Sequence, residues 1–381
     1  MRGEMTTTRR TAVIFGGAGF IGSNLAHHLL TSTEAKVRIF DSLSRPGVKN
    51  NLAWLEKAAG RSRRLDVVIG DVRDAERVRR VVGDATEVFN FAAQVAVTTS
   101  LVDPRLDFET NLVGTFNILE AVRQSGNRPF MLFTSTNKVY GDMGGRRVVR
   151  MPRRYAYACE VEGISEEQQL DFHSPYGCSK GAADQYVRDY ARVYGIPAVV
   201  FRMSCIAGRR QFGNEDQGWI AHFLYSALSR KRLVIYGDGC QVRDVLYVED
   251  LVEAMEAARQ NISRTAGEIY NIGGSAANTT SLLELIAMIE LLTGRRLEFG
   301  FEDARPGDQT IYVSDSRKFR EHTGWKPKTT VEETLEHIYE FWKENRAAIS
   351  EAYGDTGIKA MMQTPAIREQ ATLLGVMGRT A

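Results

Sequence analysis

Cysteine, histidine and long apolar runs are scarce in this sequence, and each shortage excludes a class of protein. Four cysteines in 381 residues, none in C-x-x-C spacing, do not form a disulfide scaffold and indicate a reducing, cytoplasmic environment. Six scattered histidines predict no metal site. No segment approaches the roughly 18 apolar residues of a membrane span, and residues 1–10 do not resemble a secretory signal.

An excess of either charge is also lacking. The chain has 49 Lys and Arg against 47 Asp and Glu, a net charge of +2, which argues against a nucleic-acid-binding protein. Hydrophobic residues make up 43% and charged residues 25%, as in a globular protein with one large or two ordinary domains.

The first 200 residues alternate short apolar runs with amphipathic stretches. The predicted strands are 11–17, 36–41, 65–71, 87–93, 130–136 and 197–204, and the clearest predicted helices are 20–32, 104–126 and 176–194. Apolar strands that alternate with helices predict an α/β fold, a Rossmann-type doubly wound parallel sheet covered on both faces.

After about residue 205 the alternation becomes less regular. Short strands are predicted at 233–237, 243–248, 268–274 and 297–301, with helices at 249–260, 281–293 and 330–345. We therefore expect a Rossmann-type domain over 11–205, onto which some later segments fold back. A smaller C-terminal α/β substrate-binding lobe over 206–345 and an extension over 346–381 would follow.

A glycine-rich turn joins the first predicted strand to the first predicted helix. Its sequence, GGAGFIG over residues 16–22, has the strand–turn–helix context of a dinucleotide site, although a tight structural turn is the alternative. Glycines let a diphosphate approach the helix N-terminus closely. The predicted cofactor residues of the turn are Gly16, Gly19, Phe20, Ile21 and Gly22.

Acidic and small residues end the next predicted strands. Asp41 follows Gly22 by 19 residues, where a carboxylate binds a ribose diol and favours NAD over NADP; a turn-initiating Asp before Ser42 is the alternative. Asp71 is a candidate for the adenine side, and a plain strand-end Asp is nearly as good an explanation. Further cofactor residues predicted at these strand ends are Ser42, Val72, Ala92, Ala93 and Gln94.

Tyr176 and Lys180 are the candidate catalytic pair. On a helix, residues four apart share one face, and a nearby ammonium is expected to lower the pKa of the phenol. A second pair with the same spacing, Tyr339 and Lys343, has nothing around it that indicates a pocket. Tyr176 differs because it follows Ser174-Pro175 at a helix start, downstream of a strand that ends Thr134-Ser135-Thr136.

These motifs, in this order over residues 11–345, resemble the extended short-chain dehydrogenase/reductase family of nucleotide-sugar epimerases, dehydratases and decarboxylases. The resemblance implies bound NAD and a catalytic group of Thr136, Tyr176 and Lys180. It adds Asn111 and Met203 to the cofactor residues, beside Tyr176 and Lys180 themselves.

Within that family, the runs at 94–100, 133–142, 169–191 and 199–219 resemble the 2-epimerases of CDP-sugars. Asn137 and Lys138 stand where dehydratases carry an acidic pair, which counts against dehydration. The resemblance implies an NAD-dependent nucleotide-sugar epimerase that inverts C2 of a CDP-sugar. The alternatives are a UDP- or GDP-sugar 4-epimerase or related enzyme, and a catalytically silent NAD-binding regulator.

Arginines are expected to bind the substrate diphosphate, because a planar guanidinium suits phosphate oxygens. Arg243 resembles such a residue, with an ion pair to Asp244 or Asp250 as the alternative. Cys205 is expected to line the pocket rather than act as a nucleophile. The predicted substrate residues are Thr136, Asn137, Cys205, Arg243 and Arg305.

Two surface features complete the sequence-based expectations. The segment 146–163 is unusually basic and is interpreted as a solvated loop, with contact to an anionic substrate as the alternative. Helix 104–126 carries more apolar residues than one covered face needs, which predicts a homodimer or a homotetramer built from it. The residues are Phe108, Leu112, Phe116 and Leu119.

Overall fold

The computed structural model describes residues 10–143, 146–159, 163–305 and 307–354. Its strands are β1 (Thr11–Phe15), β2 (Lys36–Asp41), β3 (Leu65–Ile69), β4 (Glu87–Asn90), β5 (Phe130–Thr136), β6 (Val148–Arg150), β7 (Tyr155–Tyr157), β8 (Ala198–Met203), β9 (Cys205–Ala207), β10 (Leu233–Tyr236), β11 (Val242–Tyr247), β12 (Ile269–Ile272), β13 (Thr279–Ser281), β14 (Phe299–Glu302) and β15 (Ile311–Tyr312).

The helices alternate with these strands through the first part of the chain. They are α1 (Phe20–Ser32), α2 (Val48–Ala59), α3 (Ala75–Val82), α4 (Val97–Val102), α5 (Pro104–Phe108), α6 (Gly114–Gln124), α7 (Ser174–Tyr194), α8 (Trp219–Ser229), α9 (Val248–Gln260), α10 (Ile262–Thr265), α11 (Leu282–Thr293), α12 (Arg317–Thr323), α13 (Val331–Glu344) and α14 (Arg346–Gly354).

A seven-stranded parallel sheet, ordered β12-β8-β5-β4-β1-β2-β3, forms the centre of the fold. One apolar cluster packs α1 and α9 on one face, and a second packs α3, α6 and α7 on the other. The predicted doubly wound α/β fold is thus confirmed. The strand order reverses between β1 and β4, and the crevice at their carboxyl ends is where such sheets bind ligands.

The helix predicted over 104–126 is present but is not regular. Helix α5 runs into a π-helical segment, Glu109–Val113, before α6 begins. Asn111 lies in this widened turn and hydrogen-bonds with neighbouring elements, a local need that the apolar period does not reveal. π turns of this kind occur frequently at functional sites.

The later strands form small sheets beside the central one. In one sheet β11 pairs with β9, β13 and β15, and β10 pairs with β14 in another. Helices α8, α11 and α13 share an apolar core beside them. Strand β12 instead joins the central sheet, so the chain returns to the first sheet after β11.

The basic segment 146–163 contains structure that the sequence analysis did not predict. Strands β6 and β7 form an antiparallel hairpin, whereas a solvated loop was expected. The predicted extension over 346–381 begins with α14. The rest of it, 355–381, lies outside the described residues. Within the described ranges, no helix is long and apolar enough to span a membrane, and no cluster of residues could hold a metal ion.

Candidate active site

The glycine turn lies at the point where the strand order reverses. A Cβ on Gly22 would lie 2.3 Å from the Gly16 carbonyl oxygen, and a Cβ on Gly16, whose φ is +74°, would lie 2.9 Å from the Ala92 nitrogen. A Cβ on Gly19 would have one neighbouring atom within 4 Å, the Gly16 carbonyl oxygen at 3.1 Å. Gly19 caps α1 without a side chain, so the first N–H groups can face an anion. The turn therefore fits a dinucleotide diphosphate.

Asp41 lies at the end of β2, next to this turn. One carboxylate oxygen accepts a hydrogen bond from the Ala18 N–H at 3.0 Å, and the other accepts from the Leu43 N–H at 2.8 Å. These bonds fix a carboxylate where it can accept from ribose hydroxyls and repel a 2′-phosphate. Other predicted cofactor residues flank these groups: Phe20 and Ile21 open α1, Ser42 follows Asp41, and Met203 ends β8.

Asp71, predicted for the adenine side, has a local partner. Arg73 donates to its carboxylate at 2.7–3.1 Å, and this hydrogen bonding lowers the pKa of Asp71. Val72 is buried, with its side chain 2.6 Å from where a Cβ on Gly114 would stand. The pairing supports the strand-end interpretation of Asp71 that the sequence left open.

Gln94 and Asn111 belong to a buried network that joins the end of β4 to α7. The Gln94 N–H donates to Asn111 Oδ1 at 2.8 Å, and Asn111 Nδ2 donates to Ser179 Oγ at 3.0 Å. Gln94 Nε2 and Ser179 Oγ both donate to Asp107, the former at 3.0 Å. Because Ser179 adjoins Lys180 on α7, the network fixes that helix against the cofactor edge.

Tyr176 and Thr136 meet as predicted. Tyr176 is 8% exposed, and its side chain hydrogen-bonds with the Thr136 side chain. Burial raises the pKa of the Tyr176 phenol to about 12, an effect that Thr136 and the charge of Arg45 oppose and the charge of Asp107 reinforces.

Lys180 is 3% exposed on the same helix. Its ammonium donates to the Thr134 carbonyl at 2.5 Å and lies 4.2 Å from the centroid of the Phe133 ring. Burial lowers the pKa of Lys180 to about 7, although Asp184 and Asp107 oppose the shift. The expectation that Lys180 lowers the pKa of Tyr176 is therefore wrong for this structure, because burial dominates both groups.

Asn137 is held beside Thr136 by a residue 172 positions away. Asn137 Nδ2 donates to Gln309 Oε1 at 3.1 Å, and Gln309 Nε2 donates to the carbonyls of Asn137 and Gly141 at 3.3 and 2.7 Å. All three of these hydrogen bonds are buried, and they attach the loop before β15 to the end of β5.

Lys138 and Arg243 share one carboxylate. Lys138 Nζ donates to Asp308 Oδ1 at 3.1 Å, and Arg243 donates to the same oxygen at 2.8 Å. Burial alone would raise the pKa of Asp308, but the two cations outweigh it and lower the pKa to about 2. Arg243 thus forms an ion pair, as one sequence interpretation held, but with Asp308 rather than with Asp244 or Asp250.

Arg305 and Cys205 lie among residues of the second lobe. The Arg305 guanidinium stacks 4.0 Å from the Tyr236 ring centroid and pairs with Asp216 at 3.3 Å. Cys205 accepts a hydrogen bond from Trp219 Nε1 at 3.4 Å. Burial raises the pKa of the Cys205 thiol, which agrees with a lining residue rather than a nucleophile.

Sequence reasoning missed Asp308, Gln309 and Arg45. Asp308 and Gln309 follow Arg305 closely in the sequence, but Lys138, which pairs with Asp308, and Asn137, which pairs with Gln309, lie about 170 residues earlier in the chain. Arg45 follows Asp41 in the loop before α2, and the charges of Asp41 and Tyr176 both act on it. The position of an arginine four residues after Asp41, which is predicted to bind ribose, was the one available signal.

Comparisons with known proteins identify the family of the chain. The sequence profile of the GDP-mannose 4,6 dehydratase family matches residues 13–338. A CDP-paratose 2-epimerase from Salmonella typhi is 41% identical over 336 residues, covering 86% of this chain and 98% of that protein.

Solved structures show the same fold. The UDP-glucose 4-epimerase of Thermotoga maritima, solved with UDP-glucose, has a TM-score of 0.75 at 28% identity over 88% of this chain and 99% of its own. The UDP-glucuronic acid 4-epimerase of Bacillus cereus, solved with UDP-glucuronic acid and NAD, has a TM-score of 0.75 at 26% identity, with the same coverage of 88% and 99%. The chain belongs to the GDP-mannose 4,6 dehydratase family of epimerases and dehydratases, within the extended short-chain dehydrogenases/reductases.

Proposed function

We propose that this protein is an NAD-dependent nucleotide-sugar epimerase that inverts C2 of a CDP-sugar. One observation carries the choice of carbon: the cation of Lys138, two residues after Thr136 in the chain, meets that of Arg243 at Asp308. The diphosphate of a nucleotide sugar is bonded to C1, so C2 is the ring carbon bearing a hydroxyl next to it. Cations beside the catalytic threonine favour a pose in which C2 faces Tyr176.

The residues next to Thr136 argue against dehydration. Loss of water needs an acid and a base near the carbons involved, whereas this site presents the Asn137 amide and the Lys138 ammonium, both engaged in hydrogen bonds. The 41% identity to a CDP-paratose 2-epimerase supports a cytidine nucleotide and C2 chemistry together.

Each residue of the catalytic group has a role in this reaction. Tyr176 accepts the proton of the C2 hydroxyl, and Thr136, which is hydrogen-bonded to it, holds the same oxygen. Arg45 stabilises the phenolate by its charge. Lys180, anchored on the Thr134 carbonyl, offers its remaining N–H groups to the cofactor ribose. The keto-sugar must then rotate within the site, so that C2 is reduced on its opposite face.

The residues at the edge of the sheet fit NAD. The open glycine turn suits the diphosphate, and Asp41 suits an unphosphorylated ribose. When bound, NAD supplies an acceptor for the hydrogen at C2 and later returns it. The site itself keeps the substrate oriented and excludes water, since Thr136, Tyr176 and Lys180 are each less than 9% exposed.

The proposal is tested by incubating the protein with CDP-, UDP- and GDP-sugars and identifying the products by NMR. We expect a CDP-sugar to be inverted at C2. A substrate deuterated at C2 should react more slowly and keep its deuterium at C2, because the hydrogen is removed and returned without exchange with solvent. Solvent deuterium at C2 would contradict the proposal. A deuterium effect at C4 alone would establish a 4-epimerase instead.

We also propose a homodimer formed by α5–α6 and α7. Apolar side chains project from both: Phe108, Phe116, Tyr186 and Val193 are 51%, 40%, 46% and 62% exposed. Phe116 and Tyr186 touch edge to face, 6.0 Å between centroids, which gives one continuous patch. Leu119, predicted to belong to this face, is fully buried in the core instead.

Light scattering tests the dimer. We expect twice the chain mass of 42.6 kDa for the unaltered protein and a shift toward monomer for Phe116→Glu. Phe301→Glu, at a 57% exposed position on β14, is the matched control and should leave the mass unchanged. A monomeric unaltered protein at micromolar concentration would rule the interface out.

A further inference from the structure

Arg45 makes hydrogen bonds with residues of both lobes. It lies in the loop between β2 and α2, donates to the Ala93 carbonyl at 3.1 Å and donates to the Gln217 side chain. Arg45 is exposed in this structure. Both hydrogen-bond acceptors are neutral, so the positive charge is not cancelled by them.

Hydrogen bonding places this guanidinium beside the glycine turn. Its acceptor Ala93 adjoins Ala92, and a Cβ on Gly16 would stand 2.9 Å from the Ala92 nitrogen. The open glycine turn suits the dinucleotide diphosphate, which is negatively charged. A cation bonded at Ala93 therefore lies where it can pair with that diphosphate.

Gln217 connects this arginine to the second lobe. It closes a tight turn with Asn214 just before α8, in which the Gln217 N–H donates to Asn214 Oδ1 at 2.9 Å. The same turn supplies Asp216, which pairs with Arg305 at 3.3 Å. One short turn thus binds Arg45 of the first lobe and an arginine predicted to bind substrate.

We propose that Arg45 binds the diphosphate of NAD and, through Gln217, fastens the turn 214–217 across the cofactor, so that NAD is released slowly. This inference rests on the proposed function, since a cycle that returns its hydrogen needs a cofactor that stays bound. Arg45 is suited to this task because a planar guanidinium can bond phosphate oxygens and an amide at the same time.

The test measures exchange of bound NAD for isotopically labelled NAD by mass spectrometry, together with the NAD content of the purified protein. We expect Arg45→Met to exchange at least ten times faster and to be purified with less NAD. Arg45→Lys should be intermediate, because the charge remains but the two-sided bonding is lost. Gln217→Leu should exchange faster while rebinding NAD normally. Arg63→Met, an exposed arginine before β3, is the control.

Unchanged exchange in folded Arg45→Met would overturn the proposal, and unchanged exchange in Gln217→Leu would overturn its cross-lobe part. If Arg45→Met fails to fold, Arg45→Lys and Gln217→Leu decide the same question. The assay contains no sugar, so it does not depend on which nucleotide sugar is the substrate. If the protein binds no NAD, both the role of Arg45 and the proposed function are refuted. If NAD exchange depends on Arg45 but no sugar is epimerised, only the proposed function is refuted.

Discussion

Lys180 and Lys138 belong to the same site but have different surroundings. Lys180 is 3% exposed and bonded to a carbonyl oxygen, and burial lowers its pKa to about 7. Lys138 also has its pKa lowered by burial, but it is paired with Asp308, which it shares with Arg243. The first lysine is thus poised to change its charge near neutral pH, whereas the second is held in an ion pair with a carboxylate.

The comparison separates two ways of building a site. Tyr176 and Lys180 depend on one helix and one strand end, so their relative position follows from local geometry. Lys138, Asp308 and Arg243 come from three separate elements and hold one another by charge. We therefore expect changes to the first group to affect the chemical step, and changes to the second to affect substrate binding.

The largest effect is expected from Tyr176→Phe. Removal of the hydroxyl should lower kcat by about 10²–10⁴-fold, because general-base assistance is lost, while the Kd of the nucleotide sugar changes little. Kinetics and calorimetric titration measure the two quantities. Tyr186→Phe, a 46% exposed position on the same helix, is the control. A raised Kd with unchanged kcat would mean that Tyr176 binds rather than reacts.

Lys180→Met should change how the free energy of unfolding depends on pH. The pKa of Lys180 is about 7 in the fold and about 10.4 in an unfolded chain, so between these values the unfolded state binds more protons. Wild-type stability should therefore rise with pH across that window. Below pH 7 the variant should be more stable than the unaltered protein, by on the order of 2–4 kcal/mol, and the difference should shrink toward pH 10.

Urea unfolding of NAD-free protein at pH 6 and pH 9.5 measures this difference. Lys328→Met is the control, because that lysine is 62% exposed and paired on the surface with Glu253. A difference between Lys180→Met and the unaltered protein that is the same at both pH values would show that Lys180 keeps its ordinary pKa.

The same contrast explains what could be predicted from the sequence. The glycine turn, Asp41 and the Tyr176 pair are local patterns, so their elements were predicted closely. The contacts of Asp308 with Lys138 and of Gln309 with Asn137 join segments about 170 residues apart, and no local sequence period predicts them. Burial decided the pKa values of Tyr176 and Lys180, and burial depends on the finished fold.

A smaller effect is expected from Lys138→Met, which breaks the second group. A hydrogen bond to a charged group contributes about 1.5–3 kcal/mol, so kcat/KM for the CDP-sugar should fall roughly tenfold to a hundredfold, mainly through KM. Lys328→Met again serves as the control. A fall confined to kcat would assign Lys138 to the chemical step and remove the division between the two groups.

The smallest effect is expected at the basic hairpin, where the sequence left contact with an anionic substrate open. Arg150 on β6 is 61% exposed and pairs with Asp238 at 3.2 Å. Exposed ion pairs contribute about 0–1 kcal/mol, so Arg150→Ala should change the free energy of unfolding by less than about 1 kcal/mol and leave KM unchanged. Urea unfolding and steady-state kinetics test this. A raised KM would extend the substrate surface beyond Lys138 and Arg243 to the hairpin, because Arg150 and its partner Asp238 both lie at the surface.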